Sequence, residues 1–163
     1  MFAWHYRAKF PNLALFLSIT PSPCPVMNPL KATSSNSLSF NEKLKSRKVL
    51  DALFAEGKVL HGGPIRLLYL VQPYVDDFPV KMAVTAPKRA MKFAHDRNRM
   101  KRLKREAYRI NKHQLIHYCQ EKKIGLAILF ISRCNTPLDY HVTEEKIILL
   151  LKLIIQDHEK SIK

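Results

Sequence analysis

With 163 residues, 47% of them hydrophobic, the chain can bury one core in a domain of about 100 to 150 residues and has length left over for a tail. Its 28 Lys and Arg against 13 Asp and Glu give a net charge of +15, so the partners to expect are anionic. Cys24, Cys119 and Cys134 are too few and scattered for a disulfide framework and form no CxxC pair for zinc, which excludes small secreted scaffolds and suits a reducing, cytoplasmic setting.

Residues 1–37 read as an extension with no stable fold. Pro11, Pro21, Pro23, Pro25 and Pro29 interrupt every periodic pattern there, and Leu30 to Ser37 is a polar spacer. Arg7 and Lys9 ahead of the apolar run Leu13 to Ile19 superficially resemble a secretory signal, but the run is short and no clean small-residue cleavage site follows. The alternatives are an unstructured extension or a start placed too early, with Met27 nearer the true beginning. From Leu38 the pattern is orderly. Ser39 with Glu42 three residues on forms a candidate capping box, and Leu44, Leu50, Leu53 and Phe54 recur at helical spacing until Gly57, which predicts a first helix. Gly62, Gly63 and Pro64 mark a turn, and the branched and aromatic run Ile65 to Gln72 predicts a strand. After a loop with Pro73, Asp76, Asp77 and Pro79, Val80 to Ala86 reads as a second strand stopped by Pro87. A basic helix follows and is expected to continue to about Glu121. The unbroken apolar run Gly125 to Ser132 predicts a fully buried strand. Beyond a loop from Asn135 to Tyr140, a last helix opens near Thr143 and Lys146 and passes through Ile147 to Ile155, apolar almost all round. The predicted body is residues 38–158 with a tail at 159–163, an α+β layout in which helices cover a small sheet. No run of about 18 apolar residues is present for a membrane span.

The basic helix carries the functional signal. Between Arg97 and Arg109 there are seven cations and one carboxylate, and the stretch from Lys81 to Lys112 supplies +10 of the +15 charge. On a helical wheel at about 100° per residue, Lys104, Arg97, Tyr108, Lys101, Arg105, Asn98, Arg109 and Arg102 fill one arc, and Met100, Leu103, Ala107 and Ile110 the other side. This predicts an apolar keel and a broad cationic face. Solvated charged helices normally mix signs, and this one barely does. With an amide and a tyrosine among the cations, the face suits nucleic acid better than a membrane, and its affinity would come largely from counterion release.

Hydrolytic machinery is not evident. Asp76 with Asp77 and Glu144 with Glu145 are sequence neighbours whose side chains diverge; HQLIH (His113 to His117) lacks the glutamate of an HExxH site; and no Gly-rich phosphate loop occurs. If the protein takes part in catalysis, another molecule carries the chemistry. A sequence-specific DNA binder fits poorly, because no turn-helix pair or dimerising heptad flanks the basic segment.

The run from Ala86 to Arg109, APKRAMKFAHDRNRMKRLKREAYR, resembles the signature of the bacterial ribonuclease P protein component: a strand ending in a pair of cations, a short connection, then RNR-x-KR-x-x-RE-x-x-R on a helix. The likeness extends upstream to LKSRKVLDALFAEGK (Leu44 to Lys58) and downstream through the last helix. Two departures are Leu50, where an aromatic is common, and Pro87, where a small residue is usual. The resemblance implies a small α/β sandwich similar to the second domain of ribosomal protein S5, with about four strands, three helices and a left-handed crossover around the basic helix. It implies a protein that binds a catalytic RNA and, with it, removes the 5′ leader of precursor tRNA, the hydrolysis being carried by Mg2+ bound mainly by the RNA. No catalytic residue, protein metal site, membrane or obligate protein partner is expected. Lys88, Arg89, Arg97, Asn98, Arg99, Lys101, Arg102, Arg105 and Arg109 match positions that contact the catalytic RNA. Lys45, Arg47, Lys48, Leu50 and Phe54, with Leu68 or Tyr69 on the facing strand, match a cleft for the single-stranded leader, where an aromatic can stack on a base. Plain core packing is the competing reading of Phe54, and a noncatalytic RNA-binding or ribosome-associated protein of the same fold is the competing reading of the chain.

Overall fold

The computed structural model describes residues 36–75 and 77–162, which belong to one compact unit. The expected extension lies outside the described residues except for Asn36 and Ser37, as does Asp76 in the loop before the second predicted strand. The elements in order are α1 (Arg47–Glu56), β1 (Lys58–Gly62), β2 (Ile65–Gln72), β3 (Val80–Thr85), α2 (Ala94–Asn111), α3 (His113–Lys122), β4 (Gly125–Ser132) and α4 (Tyr140–Ile162). The strands form one mixed sheet in the order β1-β2-β4-β3, antiparallel except for the parallel pair β3 and β4, which α2 and α3 connect.

The sheet is covered on both faces. On one, Ile65, Leu67 and Tyr69 of β2, Val80 and Met82 of β3, and Leu126, Ile128 and Phe130 of β4 pack against Ala107 and Tyr108 of α2 and Ile147, Leu150, Leu151 and Ile154 of α4. On the other, Leu68, Ala127 and Leu129 lie under Leu44 and Leu53. Strand β4 is therefore apolar from Gly125 to Ile131 because both its faces are covered, as parallel and central strands require. It opens on a glycine because a Cβ at Gly125 would come within 2.4 Å of the Pro73 carbonyl oxygen. In α4 the buried residues recur at 143, 147, 150, 151 and 154, a single helical face, while Leu149 is exposed. The apolar residues around the rest of that helix do not make it a core helix on all sides.

Several expectations are corrected. The candidate capping box does not form, and α1 starts only at Arg47. Residues 42–44 instead run along the free edge of β3: Leu44 N–H donates to the Met82 carbonyl and Met82 N–H to the Glu42 carbonyl, both at 2.8 Å. This short segment shields a sheet edge that would otherwise be open. The Glu42 carboxylate turns inward and accepts two hydrogen bonds, each 2.8 Å, from Lys112 Nζ, which also donates to the Ser37 carbonyl at 2.7 Å. Both side chains are almost fully buried, and leaving either without its partner would cost about 3 to 5 kcal/mol. Lys112 also marks the point where the predicted long basic helix divides into α2 and α3, so there are four helices and not three. Strand β1 supplies the fourth strand that the resemblance implies, although its own residues do not announce it, since KVLHG has no clear alternation. It is recruited by a tight hairpin in which Gly63, at φ 72°, precedes Pro64, a positive φ that such turns need and glycine supplies without strain.

Candidate RNA interface

Helix α2 is anchored by a narrower and differently turned face than the wheel suggested. Met100, Lys104, Ala107 and Tyr108 are its buried residues, whereas Ile110, expected on the keel, is exposed. Lys104 and Tyr108 thus leave the cationic face. Lys104 is fully enclosed, its Nζ donating to the Thr85 carbonyl at 2.5 Å, Ser132 Oγ at 2.8 Å and the Phe130 carbonyl at 3.3 Å. These three acceptors lie at the ends of β3 and β4, so the lysine bolts the helix to the sheet. Burial pushes its ammonium down to about 7.

The arginines divide into two kinds. Arg97 turns back on the connection before the helix and donates to the carbonyls of Met91, at 3.1 Å, and Lys92, at 2.8 Å. Met91 is itself fully buried against Ala86 and Met100, so this connection is pinned at both points. Arg109 is held by Glu106, at 2.9 and 2.6 Å, and by the Asn36 carbonyl; the pairing keeps the Glu106 carboxyl below its usual range. In contrast, Arg99, Arg102 and Arg105 are exposed, Lys101 is half-buried, and none has a hydrogen-bond or ion-pair partner among the described residues. Asn98 is exposed beside them. Pro87 opens a tight turn, closed by Ala90 N–H and Met91 N–H on its carbonyl at 3.0 and 3.1 Å, which presents Lys88 and Arg89 outward at the foot of α2. The departure at Pro87 is tolerated because it lies beyond the end of β3, where no ladder N–H is lost. Sequence reasoning missed Phe93, the residue before α2, which is 58% exposed and stacks on His95 with ring centroids 5.6 Å apart. Its position outside any periodic run is the only signal that could have marked it.

On the other side of the sheet, Phe54 is 60% exposed on α1, which rules out core packing. By helical spacing it shares a flank with Leu50 and Arg47. Leu50 is half-buried against the cluster containing Leu68 and Ile131, and Leu68 is itself buried beneath α1. Lys45, Arg47 and Lys48 are exposed; Lys45 sets its ammonium over the Phe40 ring. Tyr69 cannot join this group. Adjacent strand residues point to opposite faces, so Tyr69 enters the core under α4, where its hydroxyl donates to Asp157. Burial and this carboxylate raise the phenol well above its usual range.

Among the described residues, no three of His, Cys, Asp and Glu gather to hold a metal. His113 pairs instead with Asn36 at 2.7 Å, and His117 lies 3.5 Å from Glu121. The donor set among the described residues does not fit a protein-held magnesium.

A sequence model of the Ribonuclease P family matches residues 38–153. The chain is 36% identical over 107 residues to the ribonuclease P protein component of Porphyromonas gingivalis, covering 66% of this chain and 78% of that one. It is 36% identical over 115 residues to the counterpart from Chlorobaculum tepidum, covering 65% and 75%. The RNase P protein from Thermotoga maritima superposes with a TM-score of 0.52 at 26% identity, over 68% of this chain and 94% of that one. The Staphylococcus aureus RNase P protein has the same fold, with a TM-score of 0.54 at 13% identity over 69% and 94%. With its mixed four-stranded sheet and a basic helix left free for an anionic partner, the chain belongs to the ribonuclease P protein family.

Proposed function

We propose that this chain is the protein component of ribonuclease P, which binds the catalytic RNA and the 5′ leader of precursor tRNA and promotes endonucleolytic removal of that leader. The observation that carries this reading is the outward face of α2, where Asn98, Arg99, Arg102 and Arg105 stand exposed with no partner among the described residues. Charged side chains left unpaired within the fold are available for phosphates. Lys88 and Arg89 extend the same surface, while Arg97 and Arg109 fix its shape as well as its charge. Arg47, Leu50 and Phe54 form the candidate wall for the leader, with cations to track a backbone and an exposed ring to stack on a base. Among the described residues, no three His, Cys, Asp or Glu side chains gather to support metal-assisted hydrolysis. The proposal therefore assigns the chemistry to the RNA and its bound magnesium, and has the complex work in the cytoplasm without an obligate protein partner.

Replacing Arg99 and Arg105 by alanine tests the interface without disturbing the core. Filter binding to the ribonuclease P RNA across a salt series is expected to show weaker affinity and a slope reduced by about 1.4 to 1.8, the contribution of two phosphate contacts. An unchanged slope would mean that the exposed face of α2 is not where the RNA lies.

A further inference from the structure

The segment 36–46 runs between the two candidate RNA surfaces, which lie on opposite faces of the sheet. Its start is held by the carboxyl end of α2 and the first residue of α3. Arg109 donates to the Asn36 carbonyl, Lys112 donates to the Ser37 carbonyl at 2.7 Å, and His113 Nε2 lies 2.7 Å from Asn36 Oδ1. Its middle is seated on the edge of β3 by the Leu44 N–H and the Glu42 carbonyl, which bracket Met82. Its end passes through Lys45 and Ser46 directly into Arg47, the first residue of α1. Ser46 makes no side-chain cap, so the place where α1 begins follows from the seating of this segment. Two backbone hydrogen bonds alone do not fix that seating, because a shift of two residues along an edge forms the same pattern again. Such a slip would carry the start of α1 about 6 to 7 Å along the sheet. The Glu42 carboxylate has no second position. The residue is 8% exposed, and both its oxygens meet the ammonium of Lys112, 3% exposed, at 2.8 Å. Burial, with the Glu42 charge nearby, holds the enclosed Tyr108 phenol above its ordinary range, so the pair stands in a water-poor setting. A buried ion pair is a poor source of stability compared with apolar side chains, and its best-attested use is to fix a register.

We propose that Glu42 is a positioning residue for the leader: its ion pair with Lys112 locks the segment 36–46 in one register on β3 and thereby sets where the α1 leader wall stands relative to the RNA face of α2. The inference rests on the function proposed above. A base stacks on the Phe54 ring only where the leader, whose course is fixed by the RNA bound at α2, arrives at that ring. An α1 displaced by one register step therefore loses the stack without losing any group that binds the catalytic RNA. Lys45, whose ammonium covers the exposed Phe40 ring, moves with the same segment.

The test uses the full chain with two variants. Glu42→Gln keeps the shape and removes the charge, and Glu42→Leu/Lys112→Met keeps the net charge and replaces the pair by apolar groups. Thermal unfolding establishes that each is folded, and amide exchange at Leu44 and Met82 reports the seating of the segment. Affinity is measured for the ribonuclease P RNA with the protein alone, then for leader-bearing precursor and mature tRNA with the assembled holoenzyme. Glu42→Gln is expected to unfold at a lower temperature, and the double variant to regain the native one. Both are expected to exchange the two amides faster and to bind leader-bearing precursor roughly five- to tenfold more weakly, the worth of one lost base stack, with the other two RNAs bound as by the unmodified chain. A merely structural role predicts that the double variant recovers leader binding along with its stability, and that result overturns the proposal. Equal losses for all three RNAs, or unchanged leader binding in either folded variant, overturn it as well. If the double variant does not fold, Glu42→Gln is read by the same binding criteria below its unfolding temperature. These outcomes leave the proposed leader surface standing, whereas an unmodified holoenzyme that does not prefer leader-bearing precursor overturns that surface and this inference together.

Discussion

Lys104 and Arg99 are both basic residues of the same helix, yet one is part of the fold and the other is free. The enclosed lysine makes stability depend on pH. In the unfolded chain its ammonium titrates near its ordinary value of about 10.4, whereas in the folded protein it does so at about 7. Between these values the unfolded chain holds a proton that the folded one has released, so stability rises with pH. Above about pH 9 the buried thiol of Cys119, pushed up to about 12, acts in the opposite direction, because the unfolded thiol ionises first. The useful window is therefore pH 7 to 9. Urea unfolding across it is expected to show the protein gaining up to about 2 kcal/mol, and Lys104→Met to flatten that gain and be no less stable at pH 6. Parallel pH profiles for the two proteins would contradict a neutralised Lys104.

Among the elements, those with strong burial patterns could be read from the sequence. Strands β2 and β4 have the expected bounds because runs dominated by large apolar residues leave no other environment. The start of α1 was not legible, because Glu42 answers to Lys112, seventy residues away in sequence, and no local pattern reports such a partner. Strand β1 depends on its hairpin partner in the same way. On α2 the wheel placed Lys104 outward by its charge, and only the carbonyls at the strand ends explain why a lysine can face inward. The leader side of the candidate site was half legible. Leu50 and Phe54 share a helix flank, as their spacing requires, but which strand residue faces them follows from the pleat, which buries Tyr69 on the far face. Phe54→Ala removes an exposed ring, so the fold should survive. It is expected to weaken holoenzyme binding of leader-bearing precursor by about 1 to 3 kcal/mol while leaving mature tRNA unaffected. Equal losses for both RNAs would remove α1 from the leader site.

At the scale of the whole molecule, the charge is concentrated where the fold can display it. The stretch from Lys81 to Lys112 holds +10 of the net +15 and comprises β3, the turn at Lys88 and Arg89, and α2. Lys104 and Lys112 are withdrawn into the interior, and what remains outside forms a continuous cationic border from the end of the sheet along the helix. Such a border steers a polyanion and holds it in a salt-sensitive manner without reading its sequence. Among the described residues no helix is long and apolar enough to cross a membrane. In the function proposed here the protein contributes a surface and the RNA supplies the chemistry. The most direct measurement is cleavage of precursor tRNA by the ribonuclease P RNA from the same source, at magnesium too low for the RNA to act alone, with and without the full chain. Accurate removal of the 5′ leader only when the chain is present is the predicted result. Tight binding of the RNA with no gain in cleavage would contradict it and leave a noncatalytic RNA-binding protein of the same fold.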